Sequence, residues 1–100
     1  IIYACENEQG KLIGFTQLYP IFSSVRMKKM WLLNDLFVDP NFRGQGISKM
    51  LIDQAKDLCK KTNACGVLLE TESTNDIGNN LYPATGFELE ENNFYFWINS

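Results

Sequence analysis

The chain has 100 residues, 45% hydrophobic and 13% aromatic, which allows at most one domain with a buried core and excludes a disordered segment. Net charge is −3, and only Arg26, Lys28 and Lys29 form a basic group, so nucleic acid is not the expected partner, whereas an acidic surface suits cationic substrates. Histidine is absent, which rules out Ser-His-Asp and Cys-His catalysis and ordinary zinc hydrolase sites.

Residues 1–5 are apolar and β-rich, residues 6–11 form a polar turn with Gly10 near its end, and residues 12–19 resume a strand, which predicts an antiparallel hairpin over 1–19. Residues 20–29 read as a connection rich in Ser and basic side chains. A strand follows over 30–38, its run from Trp31 to Val38 reading as buried. A helix is predicted over 47–62, with Ile47, Met50, Leu51, Ala55, Leu58 and Cys59 on one apolar stripe. The continuous apolar run 65–71 is a strand covered on both faces, and strand, helix, strand at this spacing makes a right-handed parallel crossover. Residues 75–82 form a short helix stopped by Pro83, and 87–90 with 94–98 form a closing hairpin around Glu91, Asn92 and Asn93.

Three cysteines, Cys5, Cys59 and Cys65, without a C-x-x-C pair point to a reduced, cytoplasmic protein. Cys59 on the helix stripe and Cys65 at a strand start read as packing groups rather than nucleophiles. No apolar stretch approaches the ~20 residues that span a bilayer, and no signal peptide is visible, so no membrane partner is expected. The chain begins abruptly, without a start methionine, as the later part of a longer domain would.

The junction between the strand and the long helix carries the strongest signal. Asp39-Pro40 stops the strand, Gly44 and Gly46 bracket Gln45, and the helix begins at Ile47. Strand, glycine loop and helix start aim several free N–H groups at one point, with the positive end of the helix dipole behind them, and such a point binds an anion, most often a phosphate. Gly46-Ile47-Ser48-Lys49 is not the Gly-Lys-Ser/Thr of a P-loop, and the third glycine of a dinucleotide fold is missing. A tight loop with no ligand is the plain alternative.

Val38-Asp39-Pro40 followed by Arg43-Gly44-Gln45-Gly46-Ile47-Ser48 resembles the acetyl-CoA loop of GCN5-related N-acetyltransferases (GNAT), whose pattern is Gln/Arg-x-x-Gly-x-Gly/Ala. Asn75, Gly78, Leu81 and Tyr82, with Gly86-Phe87 beyond, resemble the family's second motif, Asn-x-x-Ala-x-x-Leu-Tyr. Ser48 stands where Gly or Ala is usual, Gly78 replaces the usual alanine, and Pro83 follows where a helix former is common. The likeness implies an α/β fold over 1–100: a mixed, mostly antiparallel GNAT-type sheet with one parallel strand-helix-strand crossover. It also implies that the family's first strand and opening helices are missing, an N-terminally truncated domain.

The same likeness implies acetyl-CoA as cosubstrate and acetyl transfer to a primary amine: a small amine, a polyamine or a lysine-like group, attacked directly in a ternary complex. The nearest branches in look are the polyamine and histone acetyltransferases. The loop amides of Arg43, Gly44, Gln45, Gly46, Ile47, Ser48 and Lys49 would hold the pyrophosphate, and the backbone of Leu36, Phe37 and Val38 would pair with the pantetheine arm. Asn75 would hydrogen-bond that arm, and a helix N-cap at Thr74 or Asn75 is a plain alternative compatible with it. Tyr82 is the candidate acid for the leaving thiolate, since a phenol of pKa roughly 10 can protonate a thiolate of roughly 8.5; its plain alternative is a core ring beside Phe87. Asp35 is the candidate base, with Glu70, Glu72 or ordered water as rivals; each carboxylate has a solvated charge at a strand end as its plain alternative, and for Glu70 and Glu72 that is the preferred reading. Trp31, Phe94, Phe96 and Trp97 read as packing aromatics before a cation cage. A non-catalytic acyl-CoA-binding or degenerate subdomain is the rival function, and exposed sheet edges leave room for a homodimer.

Overall fold

The computed structural model describes residues 1–23, 26–72, 74–91 and 93–99. In chain order these form β1 (Ile2–Glu6), β2 (Leu12–Ser23), β3 (Lys28–Val38), a 3-10 turn (Pro40–Phe42), α1 (Ile47–Lys61), β4 (Gly66–Glu70), α2 (Asp76–Ala84), β5 (Glu88–Glu91) and β6 (Phe94–Ile98). The strands make one sheet in the order β1-β2-β3-β4-β6-β5. Only β3 and β4 run parallel, joined by the α1 crossover; the other neighbours are antiparallel. The predicted mixed sheet is therefore present.

The first hairpin is longer than its sequence suggests. β2 continues through Pro20 to Ser23 and β3 begins at Lys28, where a connection over 20–29 is expected; Ser24 and Val25 of that connection lie outside the described residues. Proline is tolerated because backbone groups alternate from Leu18, whose N–H bonds to the Ile1 carbonyl, so position 20 faces away from β3 and the β2–β3 ladder loses no donor there. Burial of β3 is confined to Met30, Trp31 and Leu33; from Asn34 onward its residues are exposed or half-buried.

α1 lays Ile47, Leu51, Ile52, Ala55, Leu58 and Cys59 on the sheet. Ile52 is fully buried, whereas Met50, expected on the stripe, is 55% exposed. Positions 52, 55 and 59 fall on one row at i, i+3 and i+7, and Met50 sits on its flank. The main core beneath α1 is built from Leu18, Trp31, Leu33, Val67, Leu69 and Tyr95. Cys65 is half-buried and precedes β4, which starts at Gly66 because a Cβ there would collide with the Trp97 carbonyl oxygen and the Phe96 ring.

α2 begins at Asp76 with Asn75 as its N-cap and runs through Pro83 to Ala84, past the expected stop. The proline occupies the last turn, where only one N–H bond is lost, and the Thr85 N–H and hydroxyl serve the end carbonyls of Leu81 and Tyr82, the hydroxyl at 3.1 Å or 3.0 Å. In the closing hairpin β5 spans Glu88–Glu91; of the expected turn, Asn92 lies outside the described residues.

Candidate functional site

The parallel pairing of β3 and β4 covers only Trp31–Val67, Leu32–Leu68 and Leu33–Leu69. Directly beyond Leu33 the β2–β3 register slips, so that Gln17 faces Asp35 and Leu18 faces Leu33, leaving Asn34 as a bulge. The Thr16 hydroxyl fixes it by donating to the Asp35 carbonyl at 2.7 Å. A bulge bends its strand and re-aims the next side chain. β3 therefore parts from β4 at this point, and the sheet opens.

Past the opening, the Asp39 N–H donates to the Ile13 carbonyl at 2.8 Å. Backbone groups alternate sides along a strand, so the amides of Phe37 and Asp39 point to β2 while those of Leu36 and Val38 point into the gap. The Phe37 side chain faces elsewhere, with its ring 5.6 Å from Phe15. Asp39 then anchors the turn: its carboxylate accepts the Asn41 N–H at 2.9 Å and meets Lys11 at 3.4 Å. The Asn41 N–H, ahead of the Lys11 charge, holds the Asp39 carboxyl below the usual value.

Gly44 and Gly46 both take the left-handed conformation, φ +82° and +79°, which only glycine adopts cheaply. Gly46 is the N-cap of α1 and carries no side-chain cap; the first bond into the helix is Met50 N–H to the Gly46 carbonyl at 3.0 Å. Among the described residues, none accepts a hydrogen bond from the N–H groups of Arg43 to Lys49. A run of open donors thus sits at a helix N-terminus, the arrangement that binds phosphate. A Cβ on Gly44 or Gly46 would meet nothing within 4 Å, so the space outside the loop is open.

Beside the loop lies a cavity of about 320 Å³ between β3 and α2. Leu36, Val38, Arg43, Gly44, Ile47, Ser48, Asn75 and Tyr82 of the sequence-predicted site line it; Phe37, Gln45, Gly46 and Lys49 do not. Gly78 and Leu81 of the second motif line it too, together with Phe42 and Ile77, which no sequence motif singles out. Ile77 and Leu81 are an i, i+4 pair on one face of α2, a spacing visible in the sequence.

A second cavity, of about 330 Å³, lies on the other side of the opening and is lined by Asn34, Asp35, Glu70, Thr71 and Glu72 among others. Leu36, Asn75 and Tyr82 line both cavities and form the partition between them. The predicted base and the predicted loop are thus separated, with Tyr82 between them.

The partition is held by α2. Asn75 accepts the Gly78 N–H at 3.0 Å through Oδ1 and donates to Thr71 Oγ1 at 2.9 Å through Nδ2, so the N-cap alternative is realised. Gly78 is what lets it close: a Cβ there would lie 2.6 Å from Asn75 Nδ2 and 3.1 Å from Tyr82 Cε2. The Tyr82 ring packs 5.9 Å from Phe87 and 5.5 Å from Tyr95, and the residue is 7% exposed. The core ring beside Phe87 is realised, and the same residue lines both cavities. Its hydroxyl has no hydrogen-bond partner among the described residues, and no buried side-chain oxygen or nitrogen there is left unsatisfied, so this hydroxyl retains access to the cavities. Burial pushes the phenol above its usual pKa.

The aromatic residues weighed as a cage meet cations of the chain itself. Arg26 lies 4.1 Å over Phe96, Lys29 lies 5.0 Å over Trp31, and Lys56 lies 5.4 Å over Trp97. The Cys59 thiol is buried and pushed up to about 11, which removes it as a nucleophile at neutral pH.

The sequence matches the Acetyltransferase (GNAT) family over residues 1–87. The chain belongs to this family. A relative named uncharacterized N-acetyltransferase YhfO, from Bacillus subtilis, is 42% identical over 93 residues, which is 93% of this chain and 62% of the relative. The crystal structure of a probable acetyltransferase superposes with a TM-score of 0.81 at 33% identity, covering 90% of this chain and 60% of that one. The fold is shared as well with a putative streptothricin acetyltransferase of Bacillus anthracis in complex with acetyl coenzyme A, at a TM-score of 0.85 and 24% identity over 100% of this chain and 62% of that one. The GNAT chain described here thus spans about three fifths of the length of these three proteins. Among the described residues, no helix is long and apolar enough to cross a membrane.

Proposed function

We propose that this GNAT chain transfers an acetyl group from acetyl-CoA to a primary amine, a small amine, a polyamine or a lysine-like one, by direct attack in a ternary complex. One observation carries the reading: the open N–H groups from Arg43 to Lys49 stand at the N-terminus of α1, at the mouth of a cavity that reaches Tyr82. A diphosphate matches such donors in charge and in hydrogen-bonding type, and Arg43 and Lys49 add positive charge. The apolar wall of Leu36, Val38 and Phe42 suits a pantetheine chain, with the Leu36 and Val38 backbone as its strand-like partner and Asn75 at its side. Acetyl-CoA supplies the activated acetyl thioester.

The residues of the chain then divide the proton work. A primary amine with a pKa near ~10.4 arrives as ammonium, and the carboxylate of Asp35 accepts its proton, directly or through water. The amine nitrogen bonds to the acetyl carbon as the carbon–sulfur bond breaks. The Tyr82 hydroxyl gives its proton to the departing sulfur and recovers one from solvent. Its raised pKa keeps it neutral, and so able to donate, at physiological pH.

The three free cysteines support a reducing, cytoplasmic setting. A homodimer could form by pairing of sheet edges such as β5, which the mass in solution tests. The reading itself is tested by incubating the chain with acetyl-CoA and a panel of amines while following thiol release and the mass of the amine product. Coupled thiol release and amine acetylation are expected. Thermal stabilisation by acetyl-CoA with no thiol released for any amine would instead support a non-catalytic acyl-CoA-binding role.

A further inference from the structure

Thr16, near the middle of β2, is fully buried and lines neither cavity, yet its hydroxyl reaches the point where β3 bulges. Its Oγ1 donates to the Asp35 carbonyl at 2.7 Å, and Thr16 and Leu36 are partners across the two strands. The group it holds is the peptide that joins Asp35 to Leu36. That peptide is trans and planar, so its C=O and its N–H point in opposite directions. A donor that keeps the carbonyl on the β2 side therefore aims the Leu36 N–H away from β2, into the opening. The last β3–β4 pair is Leu33 with Leu69, so no ladder partner on that side meets the Leu36 N–H.

The bulge is what makes such a pin necessary. A regular ladder holds each peptide plane through the neighbouring strand, whereas a bulge sets two residues against one and disrupts the ladder locally. Asn34 is the extra residue, and the Asp35–Leu36 peptide follows directly behind it. Without the extra residue Asp35 would share the face of Leu33, which is buried beneath α1; with it, Asp35 turns to the opposite face and lines the second cavity. Threonine suits the position for two reasons. Its branched Cβ restricts χ1, and complete burial keeps water from competing for the carbonyl. Both products of the bulge, the free amide and the displaced carboxylate, thus depend on one hydroxyl.

We infer that Thr16 is a positioning residue for acetyl transfer: by holding the Asp35 carbonyl it keeps the Leu36 N–H aimed at the acetyl carbonyl oxygen, on which negative charge builds as the amine attacks. This rests on the acetyltransferase reading above and adds to it a side chain that lines neither cavity. A donor to a developing oxyanion acts through its fixed direction, and its effect falls when that direction is free to vary.

Two substitutions separate the hydrogen bond from the packing. Thr16→Val keeps the branched shape and removes the donor; Thr16→Ser keeps the donor and removes a buried methyl. Thiol release with the best acceptor of the amine panel, Tm and the amide NMR spectrum are measured for both variants and for the unaltered chain. Both variants should lower Tm. Thr16→Val should lower kcat about tenfold or more while KM for acetyl-CoA stays within about threefold, because the Arg43 to Lys49 amides still hold the diphosphate. Thr16→Ser should keep kcat within about twofold despite its lower Tm. The Leu36 amide resonance should move on saturation with acetyl-CoA in the unaltered chain and in Thr16→Ser, and should be displaced or broadened in Thr16→Val before any ligand is added.

A Val variant that keeps kcat within about twofold, or kcat that falls in step with Tm in both variants, would overturn the inference while leaving acetyl transfer intact. So would a Leu36 amide that acetyl-CoA leaves unmoved in the unaltered chain. Thr16→Ser decides the matter even if Thr16→Val fails to fold, since a kcat that falls with its Tm would show the residue to be packing alone. Absence of thiol release from the unaltered chain with every amine would remove the acetyltransferase reading and the inference with it.

Discussion

Replacing Tyr82 by phenylalanine separates chemistry from packing. The ring stays against Phe87 and Tyr95, at 5.9 Å and 5.5 Å, and the hydroxyl that disappears has no hydrogen-bond partner among the described residues. Stability should therefore change by no more than about 0.5 kcal/mol, which for a chain of this size moves Tm by roughly 2–4 °C. If the hydroxyl protonates the departing sulfur, its loss removes a general acid and kcat should fall about a hundredfold or more, equivalent to about 2.7 kcal/mol of barrier. Tyr82→Ala, which also empties the ring's site, should instead cost about 3–5 kcal/mol of stability. Titration adds a signature. Burial raises the phenol's pKa in the folded chain, so the proton is retained when folded and released on unfolding above pH ~10. That contribution to stability is full below pH ~10 and is lost as the pH rises past it, and Tyr82-dependent turnover should not decline on the alkaline side before then. Thiol release measured from neutral to alkaline pH, with thermal unfolding of both variants, reads all of this. A Phe variant that keeps kcat within threefold, or loses activity only in step with a large fall in Tm, refutes the acid role.

Three further outcomes follow from packing and burial. Gly66→Ala sets a Cβ against the Trp97 carbonyl oxygen and the Phe96 ring, two groups fixed in the sheet, and should destabilise by about 3 kcal/mol in denaturant unfolding; a change under about 1 kcal/mol would show that β4 and β6 are not paired as described. Asn75→Ala removes the cap on Gly78 N–H and the bond to Thr71, so a loss of about 1–2 kcal/mol is expected, together with weaker acetyl-CoA binding because the partition between the cavities loosens; unchanged stability would contradict the capping geometry. Cys59, buried and with its thiol pushed up to about 11, should resist alkylation near pH 8 until the chain unfolds, whereas half-buried Cys5 and Cys65 react first; early labelling of Cys59, read by peptide mass, would contradict its placement in the core.

Most of the architecture is legible in the sequence because it depends on local patterns. The α1 stripe, the apolar β4 and the Asp39-Pro40 break each follow from periodicity or from proline chemistry, and they fix the crossover that positions the loop. Gly44 and Gly46 announce their left-handed conformations directly. What is not legible depends on partners distant in sequence. β2 runs past Pro20 because position 20 faces away from β3, and α2 runs past Pro83 because the proline falls in the last turn, where only one N–H bond is lost. The bulge at Asn34 has no marker in composition, yet it opens the sheet and turns Asp35 to the face opposite Leu33. Gly78 looks like a weakened helix position when read alone, and its reason appears only when Asn75 and Tyr82 close around it. The candidate loop was visible from its own residues, whereas the partition between two cavities requires three elements to meet.

The central claim is that the main-chain N–H groups from Arg43 to Lys49 are free and face a diphosphate. Amide NMR of the chain titrated with acetyl-CoA measures this directly. The account predicts that the amide resonances of Gly44 to Lys49 shift most and saturate with the ligand, and that desulfo acetyl-pantetheine lacking the diphosphate leaves them in place. Loop amides that stay unmoved at saturating acetyl-CoA, with shifts confined to other parts of the sheet, would contradict it.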